Sequence, residues 1–225
     1  MTAAAAAHNS DMLELGLKTL IAYLLGTLLG GLILGRFRGV DIRNLGSGNA
    51  GATNALRTQG RAFGLAVLSL DVAKGVVAVL WLPTLVIPGV GLDAGVSRHW
   101  LALACGFAVI VGHVYPVWFG FRGGKGVATV VGVVGALAPL LLVPLLSSWL
   151  LVVLLTGFVG LASMLAGVAL VVAVYCFDAA DTPLLAFCIL ITVFVIFTHR
   201  GNIARMAAGT ESRAQRLWLF RSRAA

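Results

Sequence analysis

The chain has 225 residues, 60% hydrophobic and only 11% charged, with a formal net charge of +8 and a mean hydropathy of +1.03. A soluble domain carries about 25% charged residues, so there is too little polar surface here to coat a water-soluble globule, and the chain reads as an integral membrane protein. Long charge-free runs argue against a barrel of alternating polarity and select α-helices, which satisfy their own backbone hydrogen bonds in lipid. Cys105, Cys176 and Cys188 lie in apolar runs without CxxC or metal-ligand spacing, so neither disulfides nor zinc are expected.

Residues 1–13 form a polar N-terminal segment whose Ala-rich start lacks the basic region of a signal peptide, so the first apolar run, 15–34, is expected to stay as a span. Lys18 lies near its start, and Gly26-xxx-Gly30 and Gly31-xxx-Gly35 along it suit close helix contact. A Gly-rich stretch, 35–61, follows with Arg36, Arg38, Arg43, Arg57 and Arg61. The second run, 62–87, carries Asp71 and Lys74, which can neutralise each other three residues apart on a helix and brace the structure around them. After a loop with Asp93, Arg98 and His99 comes a third run, 100–117, where His113 stands isolated and reads as a packing or helix-end residue.

A short basic loop, 118–126, precedes 51 consecutive positions, 127–177, without Asp, Glu, Lys, Arg or His. As one helix these would measure about 77 Å, against a hydrocarbon core of about 30 Å. The segment must fold back, near 139–148 and near 157–163. Asp178 and Asp181 break the pattern, a last run covers 183–198, and the tail holds six arginines.

Of 16 Lys and Arg residues, 13 fall in three places: five in 36–61, two in 118–126 and six after residue 198. The positive-inside rule assigns all three to the cytoplasm. The loops around Asp93 and Asp178 then face outward, and 127–177 crosses an odd number of times, as three tilted crossings of about 17 residues. The expectation is a single polytopic, all-α membrane domain over 1–225 with about seven transmembrane helices, N-terminus out and C-terminus cytoplasmic. Its cytoplasmic functional segments are 35–61, 118–126 and 199–225. Five spans with re-entrant pieces would give the same parity.

Three polar segments carry candidate chemistry. In the first, Gly46, Gly48 and Gly51 match GxGxxG, but no strand precedes them, which argues against a dinucleotide fold. Glycines let N–H groups approach an anion, Ser47, Asn49, Thr53 and Asn54 add donors, and Arg57 adds charge; a helix starting near 54 would favour phosphate at its N-terminus. In the second, Gly123, Gly124 and Gly126 flank Lys125, yet Phe119 stands where a P-loop needs its first glycine and no Ser or Thr follows the lysine. A compact anion site remains. In the third, His199 and Asn202 fall on one face of a continued helix with Arg205 beyond. The plainer reading of each segment is a helix end or turn whose cations mark the inner leaflet. No GxSxG elbow and no HxxxxD pair occurs.

Together the segments resemble the bacterial acyl-phosphate:glycerol-3-phosphate acyltransferase family (PlsY). GSGNAGATNALR at 46–57, LDVAKG at 70–75, GHVYPVWFGFRGGKGVAT at 112–129 and HRGNIARMAAGTE at 199–211 occur in family order with family-like separations. Ala50 departs from the Pro usual in the first motif, and Thr198 stands where a basic residue is often found.

The resemblance implies transfer of a fatty acyl group from acyl phosphate to the 1-hydroxyl of glycerol 3-phosphate, giving lysophosphatidic acid and phosphate, with no cofactor, nucleotide or metal. It implies the bacterial cytoplasmic (inner) membrane, a site facing the cytoplasm, membrane lipids and an upstream acyl-phosphate-forming enzyme as partners, and no nucleic acid. Ser47, Lys125, His199 and Asn202 are the expected catalytic residues; Gly48, Asn49, Thr53, Asn54, Arg57, Gly123 and Gly124 are expected to bind the phosphate groups. The proton acceptor is either a donor phosphate oxygen or His199. Two competing classes are a small secondary transporter for a phosphorylated or anionic solute and a lipid-binding scaffold. Polar clusters at one membrane face, and the absence of internal repeats, argue against the transporter.

Overall fold

The computed structural model describes residues 3–90, 92, 95–215 and 217–220, and the chain divides into two compact units, Met1–Leu137 and Ala138–Ala225. Apart from one bridge pairing Ile87 with Val90, the regular structure of the described residues is helical.

The first unit comprises α1 (Ala3–Gly26), α2 (Gly30–Phe37), α3 (Ala52–Gln59), α4 (Arg61–Leu80), α5 (Arg98–Val114) and α6 (Val127–Leu137). The first apolar run is not one straight helix: it breaks over 27–29 and bends by 46°. Thr27 turns its hydroxyl back onto the Leu24 carbonyl at 2.6 Å, and glycines on both sides of the break tolerate the bend. Such a break orphans main-chain groups, and α4 supplies substitutes for the missing helix bonds. Lys74 Nζ donates to the carbonyls of Gly26 at 2.9 Å and Leu28 at 3.1 Å, while Gly30 N–H donates to Asp71 Oδ1 at 3.3 Å. The expected Asp71–Lys74 pair closes at 3.0 Å. His113 is not isolated, as the sequence alone suggested: its Nδ1 lies 2.8 Å from Lys74 Nζ and accepts from it, since an ammonium can only donate.

Helix α4 crosses α6 at Gly75 and Gly132, where any side chain would run into the Thr129 or Val72 carbonyl of the opposite helix. Leu29, Leu32, Ile42, Phe63 and Val67 form a buried cluster beneath the loop that follows α2. Lys18 is neutralised by Glu14 at 2.7 Å and donates to the Pro83 carbonyl at 3.0 Å.

The second unit holds α7 (Leu142–Thr156), α8 (Val159–Phe177), α9 (Thr182–Thr198) and α10 (Arg200–Ala207). The charge-free run is interrupted where expected, at a tight turn opened by Pro139 and at Gly157, whose φ of +76° suits glycine. The resulting helices have 11, 15 and 19 residues instead of three equal lengths, because the turns fall where Pro and Gly stand. The tail is fastened to the α7–α8 turn: Ala214 N–H donates to Gly157 O at 2.8 Å, Leu219 N–H to Leu154 O at 3.0 Å, and the Arg213 guanidinium lies 4.1 Å from the Trp218 ring centre.

By length and composition four stretches can cross a membrane, Arg61–Thr84, Arg98–Phe119, Pro139–Thr156 and Val159–Phe177, or six if α1–α2 and α9–α10 each make one bent span. The protein is thus an all-helical membrane protein with four to six candidate spans. Replacing Lys74 by Met would leave buried Asp71 without its cation, a loss expected to cost about 3–5 kcal/mol. A Lys74→Met protein whose thermal midpoint in detergent equals that of the wild type would contradict this role.

Candidate active site

The loop after α2 opens with a short turn, Ile42–Asn44, capped by Asp41, whose Oδ1 accepts from Arg43 N–H at 2.9 Å. Gly46 and Gly48 then take left-handed φ values of +57° and +73°, which fold 45–51 around one side chain. That side chain is Asn54, 1% exposed on the first turn of α3. Its Oδ1 accepts from Ser47 N–H at 2.9 Å, and its Nδ2 donates to the carbonyls of Ile42, Leu45 and Asn49 at 2.9–3.0 Å. Gly48 N–H is bound to Leu45 O at 3.0 Å. Asn54 and the Ser47 and Gly48 amides are therefore bonded within the loop itself. Four bonds from Asn54 also pin the loop without the ring of a proline at position 50, where Ala50 is fully buried. The side chains of Ser47, Thr53 and Arg57 are exposed and bond to no described residue; Asn49 is half-buried. Thr53 and Arg57, four apart on α3, share a face.

The second loop is shaped the same way. Gly123 N–H donates to Val114 O and Gly124 N–H to His113 O, both at 3.1 Å, so these two amides also turn inward. Gly124 lies directly against the His113 imidazole, where a side chain would collide. Lys125 is half-buried just before α6. The two loops are joined by Arg43. Its Nε and Nη2 bind the Asp41 carboxylate, with Nη2 to Oδ2 at 2.7 Å, and its Nη1 reaches Phe119 O at 3.1 Å and Arg122 O at 3.2 Å. The hydrogen bond from the Arg43 guanidinium holds the Asp41 carboxyl below its usual range, and the same bond raises the Arg43 value. Within the first unit Arg43 thus ties the first loop to the second, and Arg122 lies close enough to act on the Asp41 carboxylate as well.

In the second unit the helix does not continue straight through the third segment: α9 and α10 bend by 51° at His199. His199, 3% exposed, has its Nδ1 2.8 Å from Val195 O. A carbonyl only accepts, so Nδ1 carries a hydrogen in this contact. Asn202, 6% exposed, donates from Nδ2 to Glu211 Oε1 at 2.6 Å, and Arg205 Nε donates to Glu211 Oε2 at 2.6 Å. Gly160 of α8 leaves the space that the Asn202 amide fills. Glu211 received no role from sequence, although a single acid in a tail of six arginines was a usable signal.

Comparison with known proteins gives one answer. The family model described as glycerol-3-phosphate acyltransferase matches residues 17–209. A glycerol-3-phosphate acyltransferase of Bacillus velezensis is 42% identical, covering 88% of this chain and 96% of that protein, and its Bacillus subtilis counterpart is 41% identical over 91% and 99%. A crystal structure of PlsY (YgiH), an integral membrane glycerol 3-phosphate acyltransferase, in its glycerol 3-phosphate form has a TM-score of 0.76 at 36% identity, covering 88% of this chain and 94% of that one. Its lysophosphatidic acid form has a TM-score of 0.75 at 35% identity, with the same coverage. Matched almost end to end in sequence and in fold, the chain belongs to the glycerol-3-phosphate acyltransferase family.

Proposed function

We propose that this acyltransferase moves a fatty acyl group from acyl phosphate to the 1-hydroxyl of glycerol 3-phosphate, releasing lysophosphatidic acid and inorganic phosphate at the cytoplasmic face of a bacterial inner membrane. The observation that carries the reading is a pair of loops in one unit, tied by Arg43, in which Asn54 and the amides of Ser47, Gly48, Gly123 and Gly124 bond internally while the side chains of Ser47, Thr53 and Arg57 remain exposed and uncommitted. The bound forms of the related PlsY structures, glycerol 3-phosphate and lysophosphatidic acid, support the acceptor and the product. Nothing in these relatives favours the transporter or scaffold reading.

Counting α6 beside the six candidate spans gives seven crossings, N-terminus out and C-terminus in. The docking of the cationic tail on the α7–α8 turn supports this parity, which requires both on the inner side.

Acyl phosphate is a mixed anhydride, already activated, so positioning and charge stabilisation suffice. The acceptor hydroxyl attacks the acyl carbon, the carbon–oxygen bond to phosphate breaks with its electron pair on phosphate, and the hydroxyl proton moves to a phosphate oxygen. Ser47 and Lys125 hold the donor, with Lys125 facing the charge that develops on the carbonyl oxygen. Arg57, Thr53 and Asn49 bind the phosphate of glycerol 3-phosphate. His199 and Asn202 orient its hydroxyl, with Glu211 setting the amide of Asn202. Asn54, Gly48, Gly123 and Gly124 shape the loops. His199 is assigned orientation because its Nδ1 faces a neutral carbonyl, which stabilises an imidazolium less than a carboxylate would.

Purified protein given palmitoyl phosphate and glycerol 3-phosphate, without CoA or metal, is expected to form lysophosphatidate and phosphate in equal amounts; no product from this pair would end the reading. Arg57→Ala is expected to raise KM for glycerol 3-phosphate by about 10- to 100-fold, the worth of a charged hydrogen bond, and an unchanged KM would remove Arg57 from the site. His199→Gln is expected to keep about a tenth of kcat, whereas a loss beyond about a thousandfold would make the histidine the base.

A further inference from the structure

We propose that Arg43 is a positioning residue for acyl transfer: its guanidinium holds a strained turn at Gly120 and Phe121 and thereby fixes Lys125 relative to the Ser47 loop. The inference rests on the reading above, in which Ser47, Arg57 and Lys125 serve one reaction.

The guanidinium is anchored at one end in the frame of the first loop. Nε and Nη2 grip Asp41, and Asp41 in turn caps the turn that contains Arg43. At its other end Nη1 binds the carbonyls of Phe119 and Arg122, the first and fourth residues of a turn closed by Arg122 N–H to Phe119 O at 3.4 Å. The two residues between them are both left-handed, Gly120 at φ +63° and Phe121 at φ +58°. Glycine adopts that conformation freely, but a phenylalanine resists it, and Phe121 is the only non-glycine at positive φ among the described residues.

Burial of the ring does not compensate, because Phe121 is 57% exposed. What opposes the strain is hydrogen bonding: Phe121 N–H to Pro116 O at 3.0 Å, and the two bonds from Arg43 at either end of the turn. Downstream there is no slack to absorb a relaxed turn, since Gly123 and Gly124 are tied to Val114 and His113 immediately before Lys125. A turn that relaxes therefore displaces the lysine. The guanidinium spreads its donors over a planar fork, so one edge takes the Asp41 carboxylate while Nη1 reaches two carbonyls of the other loop, whereas a lysine carries all its donors on one nitrogen and lacks that span. With every nitrogen of the guanidinium so engaged, Arg43 acts through the loop and does not contact substrate.

The test uses full-length protein in detergent with palmitoyl phosphate and glycerol 3-phosphate. Arg43→Lys is expected to lower kcat by about 10- to 100-fold while KM for either substrate stays within about twofold. Adding Phe121→Gly to Arg43→Lys is expected to regain about threefold or more of the lost turnover, because glycine keeps the left-handed turn without help. A raised KM with kcat retained would make Arg43 a ligand, and wild-type turnover per folded molecule with a lowered thermal midpoint would make it merely structural. Either result, or no recovery in the double variant, overturns the proposal. A second arm is independent of donor chemistry: spin labels at Leu45→Cys and Trp118→Cys, in a Cys176→Ser background, should give one narrow distance that broadens with Arg43→Lys. An unbroadened distance overturns the positioning role even if acyl phosphate proves to be the wrong donor, whereas an inactive wild type with the expected broadening overturns only the proposed reaction.

Discussion

A helix that breaks within an apolar layer exposes amides and carbonyls that lipid cannot satisfy, and Lys74 with Asp71 meets that demand where α1 gives way to α2. The lysine takes the carbonyls of Gly26 and Leu28, the aspartate takes the amide of Gly30, and the two charges cancel. With the break stabilised, α2 can bend away and carry the Ser47 loop, against which Gly31 closes at the Ala50 carbonyl. The fourth partner of Lys74, His113, supports Gly124 from beneath. Both loops of the first unit thus take their reference from one buried ammonium.

The polar residues divide into those that build and those that remain available. Asn54 spends its whole amide on four main-chain partners, Arg43 spends its guanidinium on two loops, and Glu211 occupies Asn202 and Arg205. These groups cost little to bury because each is paired. Arg57, Thr53 and Ser47 stay exposed on the framework so formed. A motif rich in donors is therefore mostly self-directed, and its chemistry rests on a minority of its residues.

Features set by local pattern were readable from the chain alone: the helical class, the helix breaks near Pro139 and Gly157, the three cationic segments and the Asp71–Lys74 spacing. Features set by partners far along the chain were not. The glycines at 26 and 30 read as a packing motif on one helix, because the groups that stabilise the break come from α4, more than 40 positions away. His113 looked solitary for the same reason, its partner lying 39 positions upstream. The compositional signature of an anion loop does not tell which donors face inward, as those of Asn54 do. The bend at His199 was hidden by an apolar run that continues smoothly into the polar segment.

Inward-facing amides also bear on how a small molecule could block this protein. The N–H groups of Ser47, Gly48, Gly123 and Gly124 are all occupied by internal partners, so an anion docking here draws no hydrogen bond from these four amides. In the site proposed above, an inhibitor scaffold gains from a flat, two-oxygen group matched to the guanidinium fork of Arg57. Affinity built on such exposed cations fades as ionic strength rises, which makes salt titration a simple way to rank chemotypes.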